Sequence, residues 1–258
     1  MGALRLRARR LWNRLLPGVP VLIRIKPGLW WVARNDTLSN YLFAGYYDRA
    51  EYAFLQRYLQ PGMTVVDIGA NAGLYAMVAA RCVGASGRVI AFEPSPRERA
   101  QMATHLRLNR MANVVIEPFA VGDANGSVEL RVVEAVETGC NSLRPASGLA
   151  THGVQVPMCR LDDYISQRQV RRVDLIKLDI EGGERDALFG AAKTLEAHRP
   201  VLLCEIEPAR ILPWGYAPTD IVDFVRGLGY EWFALDGPDL IPLRPDAAFR
   251  GNYIARPQ

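Results

Sequence analysis

Three acids stand where apolar runs end: Asp67 in TVVD, Glu93 in RVIAFE and Asp179 in DLIKLD. After the first comes Gly69-Ala70-Asn71-Ala72-Gly73, a turn of small residues leading into the helix formers Leu74–Val83. Gly69 and Gly73 let the backbone bend, and let a ligand approach with no Cβ in the way. The helix start beyond them supplies free N–H groups and a partial positive charge. Glu93 follows the turn by about 20 residues, where a carboxylate can meet two vicinal hydroxyls with its two oxygens. The plainer alternative is a charge at the start of the next helix. Asp67 can accept N–H bonds from the turn or meet an ammonium group, and Asn71 can contact a ligand or cap the helix. Asp179 and Glu181 can take a proton from a hydroxyl, or cap the following helix and orient a ligand amine. Lys177, two residues before Asp179, shares its pleat direction and suits an ion pair. Glu205 and Glu207 are further acids after the next strand. Asp179, Glu181 and Glu205 carry the oxygens that Mg2+ takes, but no metal ligand is assigned. Asp162 and Asp163 open a helix and serve its N-terminus.

These groups need a scaffold that brings strand ends together. The spacing predicts strands over 64–68, 88–92, 113–119, 127–133, 154–158, 173–178, 201–205, 230–235 and 252–255. Helices are expected over 48–59, 161–168, 184–197 and 220–228, and from Pro96 onward, where Ser95 and Glu98 form a capping box. Asn125-Gly126 signals a hairpin turn. Two short apolar runs flank Lys26-Pro27-Gly28 as a second hairpin, and 41–47 is aromatic-rich and reads as irregular. Strand–helix alternation with near-continuous apolar strands means an α/β fold with a doubly wound, mostly parallel sheet. Residues 1–47 form an extension of basic helix and hairpin, and 48–258 the main domain. In such sheets ligands bind beyond the carboxyl ends of the strands.

The chain has 258 residues with a formal net charge of +4, too little for the electrostatic footprint of a nucleic-acid binder. Its four cysteines, Cys82, Cys140, Cys159 and Cys204, form no CxxC pair. They read as reduced thiols of a cytoplasmic protein. No apolar run is long enough to span a bilayer. Residues 1–16 carry arginines and no acid, with Leu4, Leu11, Trp12, Leu15 and Leu16 at helical spacing. Such a helix docks on its own domain or a second subunit, or lies on an anionic membrane.

The turn spacing separates cofactor classes. A nicotinamide-binding loop reads GxGxxG; here the glycines are four apart. DxGxNxG instead resembles the first motif of the class I S-adenosylmethionine-dependent methyltransferases. A narrower resemblance covers about Asp48 to Tyr230. VVDIGANAGLYAMVAA, GRVIAFEPSP, FAVGDANGSVEL, CNSL, VPMCRLDDYI, DLIKLDIEGGERDALFGA and RPVLLCEIEP, in this order, are similar to the FkbM-type methyltransferase family. The resemblance implies a Rossmann-like methyltransferase that binds S-adenosylmethionine and releases S-adenosylhomocysteine. Asp67, Gly69, Ala70, Asn71 and Gly73 would meet the methionyl part, and Glu93 the ribose. Adenine would fall near Glu117–Asp123, with Phe119 or Ala120 against the ring and Asp123 bonding its amine or beginning the turn. Asp179, beside the expected methyl position, would orient the cofactor or join Glu181 as a candidate base. Asn141, Ser142 and Glu205 would face the acceptor. Family members methylate hydroxyls of sugars, polyketides and similar metabolites, so the acceptor is expected to be small, with no nucleic acid involved and a homo-oligomer as an open option. The alternative is a catalytically silent cofactor-binding partner subunit.

Overall fold

The computed structural model describes residues 7, 11–16, 18–26, 28–45, 49–133, 140–144, 150–237, 239–244 and 248–258. A hairpin of β1 (Val21–Ile25) and β2 (Leu29–Ala33) comes first, then helices α1 (Thr37–Ala44) and α2 (Arg49–Tyr58). The alternation follows: β3 (Thr64–Ile68), α3 (Leu74–Val83), β4 (Arg88–Phe92), α4 (Pro96–Leu108) and β5 (Val114–Glu117). Next are β6 (Ala120–Val121), β7 (Gly126–Val133), β8 (Thr151–Cys159) and α5 (Leu161–Gln167). The chain continues with β9 (Leu175–Leu178), α6 (Glu184–Phe189), α7 (Ala192–His198), β10 (Val201–Glu205), α8 (Pro208–Ile211) and α9 (Pro218–Gly227). It closes with β11 (Tyr230–Asp236), β12 (Asp239–Pro242) and β13 (Asn252–Pro257).

The main sheet has eight strands in the order β12-β11-β13-β10-β9-β3-β4-β5. Neighbours from β5 to β10 run parallel, and β13, β11 and β12 add an antiparallel edge. The chain winds outward from β3 to β4 and β5, then returns to place β9 and β10 on the other side. The order therefore reverses between β3 and β9, where an open α/β sheet forms its ligand crevice. The pleat divides the core. Val66, Ile68, Ile176 and Leu178 pack toward α5, α6 and α9. Val65, Val89 and Leu175 face α2, α3 and the N-terminal hairpin. The hairpin is anchored there by Trp31, which stacks on His105 of α4 with ring centroids 3.9 Å apart.

Five local expectations change. The segment from Tyr41 is helical to Ala44: the Asp36 carboxylate caps α1 by accepting the Ser39 N–H at 2.6 Å, and Gly45 ends it in the left-handed region. Tyr46 and Tyr47 lie outside the described residues. The 184–197 helix is two helices, because Gly190 abuts the backbone of Gly122, and a Cβ there would lie 1.9 Å from the Gly122 carbonyl oxygen. Asn125-Gly126 joins β6 and β7, but β8 lies between them in a separate three-stranded sheet. Asn125 instead accepts the Arg160 N–H at 3.0 Å and donates to Asp163 at 2.6 Å. At α4 the capping box does not close, since Glu93 takes the Ser95 N–H at 2.8 Å and the Ser95 hydroxyl donates to Glu98. Asp162 caps α7 rather than its own helix, accepting the Thr194 N–H and hydroxyl, both at 2.8 Å.

Candidate active site

A cavity of about 470 Å3 opens at the carboxyl ends of β3, β4 and β9. Its floor is the turn Gly69-Ala70-Asn71, made possible by two residues at positive φ, Gly69 (81°) and Asn71 (50°). A side chain at 69 has no room: its Cβ would lie 2.0 Å from the Asp179 carbonyl oxygen. The turn thus lets the ends of β3 and β9 close on each other. Gly73 starts α3 in the left-handed region, packed so that a Cβ would meet Met102 at 2.5 Å. Asn71 Oδ1 accepts the Ala72 N–H at 2.6 Å.

Glu93 ends β4 on the cavity wall. One carboxylate oxygen accepts the Asn71 N–H and the other the Ser95 N–H, each at 2.8 Å. The side chain therefore fixes the turn to the next strand end. A carboxylate has about four lone-pair positions, so each oxygen keeps acceptor capacity toward the cavity. Burial pushes the Glu93 carboxyl up to about 7, opposed by the Ser95 and Asn71 N–H groups.

The strand end of β9 carries the densest charge. Lys177 Nζ stands 3.2 Å from Asp179 Oδ2 and 3.6 Å from Asp67 Oδ1, with the Tyr75 ring centroid 4.7 Å away. Burial works against this ammonium, but the Asp179 and Asp67 charges outweigh it and hold its pKa above the ordinary value. Glu181 sits in the left-handed region at φ 59°. That turn aims its carbonyl at two donors, the Ser142 hydroxyl at 3.0 Å and Trp214 Nε1 at 3.2 Å. Its carboxylate lies 2.8 Å from Arg210 Nε of α8. Burial, then the Asp179 charge, pushes Glu181 up to about 8. The Asp179 charge, then burial, pushes Glu205 up to about 9. Glu184, below them, accepts the Ile180 N–H at 2.8 Å and closes the turn from underneath.

Ala70, Phe119, Asp123, Asn141, Ser142, Asp179, Glu181 and Glu205 all line this cavity together with Gly69, Asn71 and Glu93. Asp67 and Gly73 stay behind its wall. Among the described residues, no group of three or more His, Cys, Asp or Glu side chains is arranged to hold a metal ion. His152 lies on β8, exposed and away from the lining. The apolar wall was less legible: Leu38 of α1, and Val128, Leu130 and Met158 of the small sheet, also line the cavity. Nothing in their spacing marks them as ligand contacts. Tyr75, the second residue of α3, had a visible signal in its place just after the glycine turn.

Comparison with known proteins gives a consistent family. Residues 67–232 match the model described as Methyltransferase FkbM domain. Methyltransferase 1 of Beauveria bassiana is 28% identical over 49% of this chain and 57% of its own length. The 2-O-methyltransferase NoeI of Sinorhizobium fredii is 26% identical over 54% of this chain and 62% of its own. The chain thus spans less than two thirds of the length of these relatives. A crystal structure of the methyltransferase FkbM from Methylobacillus flagellatus aligns with a TM-score of 0.50 at 17% identity, covering 84% of this chain and 52% of that one. At that identity the likeness speaks to the fold.

Proposed function

The chain belongs to the FkbM methyltransferase family, and from that premise we propose that it moves the methyl group of S-adenosylmethionine to a hydroxyl oxygen of a sugar, polyketide or related small metabolite. The observation that carries this reading is a single cavity lined by the glycine turn, by Glu93 and by the Asp179–Glu181 strand end. The donor set suits the cofactor. Glu93 offers acceptor oxygens for the ribose hydroxyls, and the side-chain-free Gly69 leaves the turn open to the methionyl chain. Phe119 and the apolar residues beside it suit the adenine face, with Asp123 at its edge. When bound, the cofactor supplies an electrophilic methyl carbon on a sulfonium. The work left to the chain is to align an attacking oxygen, which in well-oriented models is worth on the order of 7 kcal/mol, and to accept its proton.

Asp179 is paired with Lys177, which suits a fixed anion that orients the cofactor amine. Glu181 is also paired, with Arg210 at 2.8 Å, but burial and the Asp179 charge push it up to about 8 against that cation, and a base works best with a pKa near the operating pH. Glu205, Asn141 and Ser142 line the part of the cavity we assign to the acceptor. The reading of a small acceptor rests on the size of the cavity, about 470 Å3, and on the relative named as a 2-O-methyltransferase.

Calorimetry with S-adenosylmethionine and with NAD tests the first half of this proposal. Absence of S-adenosylmethionine binding at about millimolar ligand, where a Kd corresponds to a binding free energy of about −4 kcal/mol, sinks it. Transfer of labelled methyl across a panel of hydroxylated metabolites tests the second half. Tight cofactor binding with no transfer to any acceptor favours the silent-partner alternative.

A further inference from the structure

We propose that the N-terminal face of this protein docks on an anionic lipid bilayer. This inference is independent of the catalytic reading. The observation is a group of exposed large apolar side chains on two adjoining elements. On residues 11–16, Leu15 is 67% exposed and Leu11 57%, and on the hairpin Leu22 is 54% exposed and Trp30 42%. Leu22 and Arg24 are both outward positions of β1, and Trp30 is the register partner of Arg24 on β2. Directly opposed residues share a face of a sheet, so these three present one surface. Two bonds hold residues 11–16 beside that hairpin: Trp12 Nε1 to the Val19 carbonyl at 3.1 Å and Asn13 Nδ2 to Asn35 Oδ1 at 2.7 Å. Exposed apolar groups gathered in this way mark an interaction surface.

The charge on the described residues selects the partner. From Arg7 to Arg34 these carry Arg7, Arg14, Arg24, Lys26 and Arg34 and no acid, the first acid of the sequence being Asp36. Asp36 is buried and committed to capping α1. Arg81 of α3 adds to the group: its guanidinium and that of Arg24 each come within 3.6 Å of the open Cβ position of Gly28. Neither Arg24 nor Arg81 belongs to an ion pair among the described residues. Two converging guanidinium groups beside a turn, without an acid partner among the described residues, suit a phosphate oxygen. Leucine and tryptophan among arginines suit the boundary between headgroups and acyl chains. A second copy of this chain fits poorly, because a two-fold interface sets the same patch against itself and opposes cation to cation. Nucleic acid would use the cations and leave the leucines in water.

The test is sedimentation of the full chain with phosphatidylcholine vesicles, with and without phosphatidylglycerol. The protein is expected to sediment with the anionic vesicles, to remain in solution with the neutral ones, and to be released by salt. Leu15→Asp should lower the partition coefficient by about tenfold or more, and Arg24→Glu by about fivefold or more. Neither residue lines the cavity, and both variants should keep the parent's urea midpoint, which separates lost docking from lost folding. Failure to sediment with anionic vesicles overturns the proposal, as does undiminished sedimentation of Leu15→Asp. So does a dimer, seen by light scattering, that Leu15→Asp dissociates. Binding to an RNA oligonucleotide with none to vesicles also overturns it.

Discussion

Asp67 and Lys177 occupy register-matched positions on the adjacent parallel strands β3 and β9, with carboxylate and ammonium 3.6 Å apart. Both side chains are almost fully buried. The pair therefore joins the two strands at the point where the sheet order reverses, with Lys177 lining the cavity and Asp67 behind its wall. Lys177 also reaches Asp179 at 3.2 Å, so one buried cation serves a structural acid and a cavity acid. Removing one partner of such a pair leaves the other charge in low dielectric, at a cost of about 3–5 kcal/mol. Lys177→Met is expected to lose stability in this range by urea denaturation, and Asp67→Asn added to it should recover much of the loss. A loss below about 1 kcal/mol in the single variant would mean that Asp67 does not depend on this cation.

Gly69 and Gly45 have nearly the same positive φ, 81° and 83°, and opposite surroundings. An added Cβ at 69 would lie 2.0 Å from the Asp179 carbonyl oxygen and 2.8 Å from Ile180, whereas at 45 nothing among the described residues lies within 4 Å. Gly45→Ala should cost only the left-handed backbone penalty, about 1–2 kcal/mol, with cofactor affinity unchanged. Gly69→Ala must part the ends of β3 and β9, and is expected to weaken S-adenosylmethionine binding by about 1.4 kcal/mol or more, a factor of ten. Calorimetry on the two variants measures this contrast. Equal affinities in both would show that the strand ends move freely.

The parallel strands and the acids at their ends were legible because both are written in local pattern. TVVD, RVIAFE and DLIKLD each combine a doubly buried strand with an acid at its end, and sheet topology then gathers those ends. What stayed illegible depends on contacts distant in sequence. Gly190 breaks a helix because Gly122 lies against it, 68 residues away in the chain by subtraction. Asn125-Gly126 has hairpin chemistry, but Arg160 and Asp163 use the Asn125 side chain, and β8 takes the place that a hairpin partner would fill. The same holds for the cavity's apolar wall: Val128, Leu130 and Met158 reach it only because the small sheet folds over the large one's strand ends.

Glu93 makes a pH-dependent prediction. Its carboxyl is pushed up to about 7 by burial. Hydroxyl donors favour the ionised form, so a ligand diol binds the carboxylate better than the acid. Affinity for S-adenosylhomocysteine should be full above about pH 7 and should fall as the pH drops through that value. Glu93→Ala should weaken binding at pH 8 by about 1.5–3 kcal/mol and flatten the pH profile. Calorimetry between pH 6 and 8 checks both, and a profile unchanged by the substitution would remove Glu93 from cofactor recognition.

Glu181 and Asp179 separate by the pH dependence of turnover. Glu181 is pushed up to about 8 by burial and by the Asp179 charge. A base must be deprotonated to act, so with Glu181 in that role kcat should rise with pH and level off above about 8. Glu181→Gln should lower kcat by about 10²–10⁴-fold and abolish that rise, with little change in cofactor affinity. Removing the Asp179 charge lowers the Glu181 pKa, because that charge is one of the causes that raise it. Asp179→Asn should therefore shift the rise in kcat to lower pH while weakening cofactor binding. If Asp179 were instead the base, Asp179→Asn would carry the kcat loss and Glu181→Gln would leave the pH profile intact. Turnover of labelled methyl from pH 6 to 10 in the three proteins distinguishes the two assignments. The left-handed backbone at Glu181, with Ser142 and Trp214 on its carbonyl, holds this residue at the cavity wall, where its carboxylate also meets Arg210 at 2.8 Å.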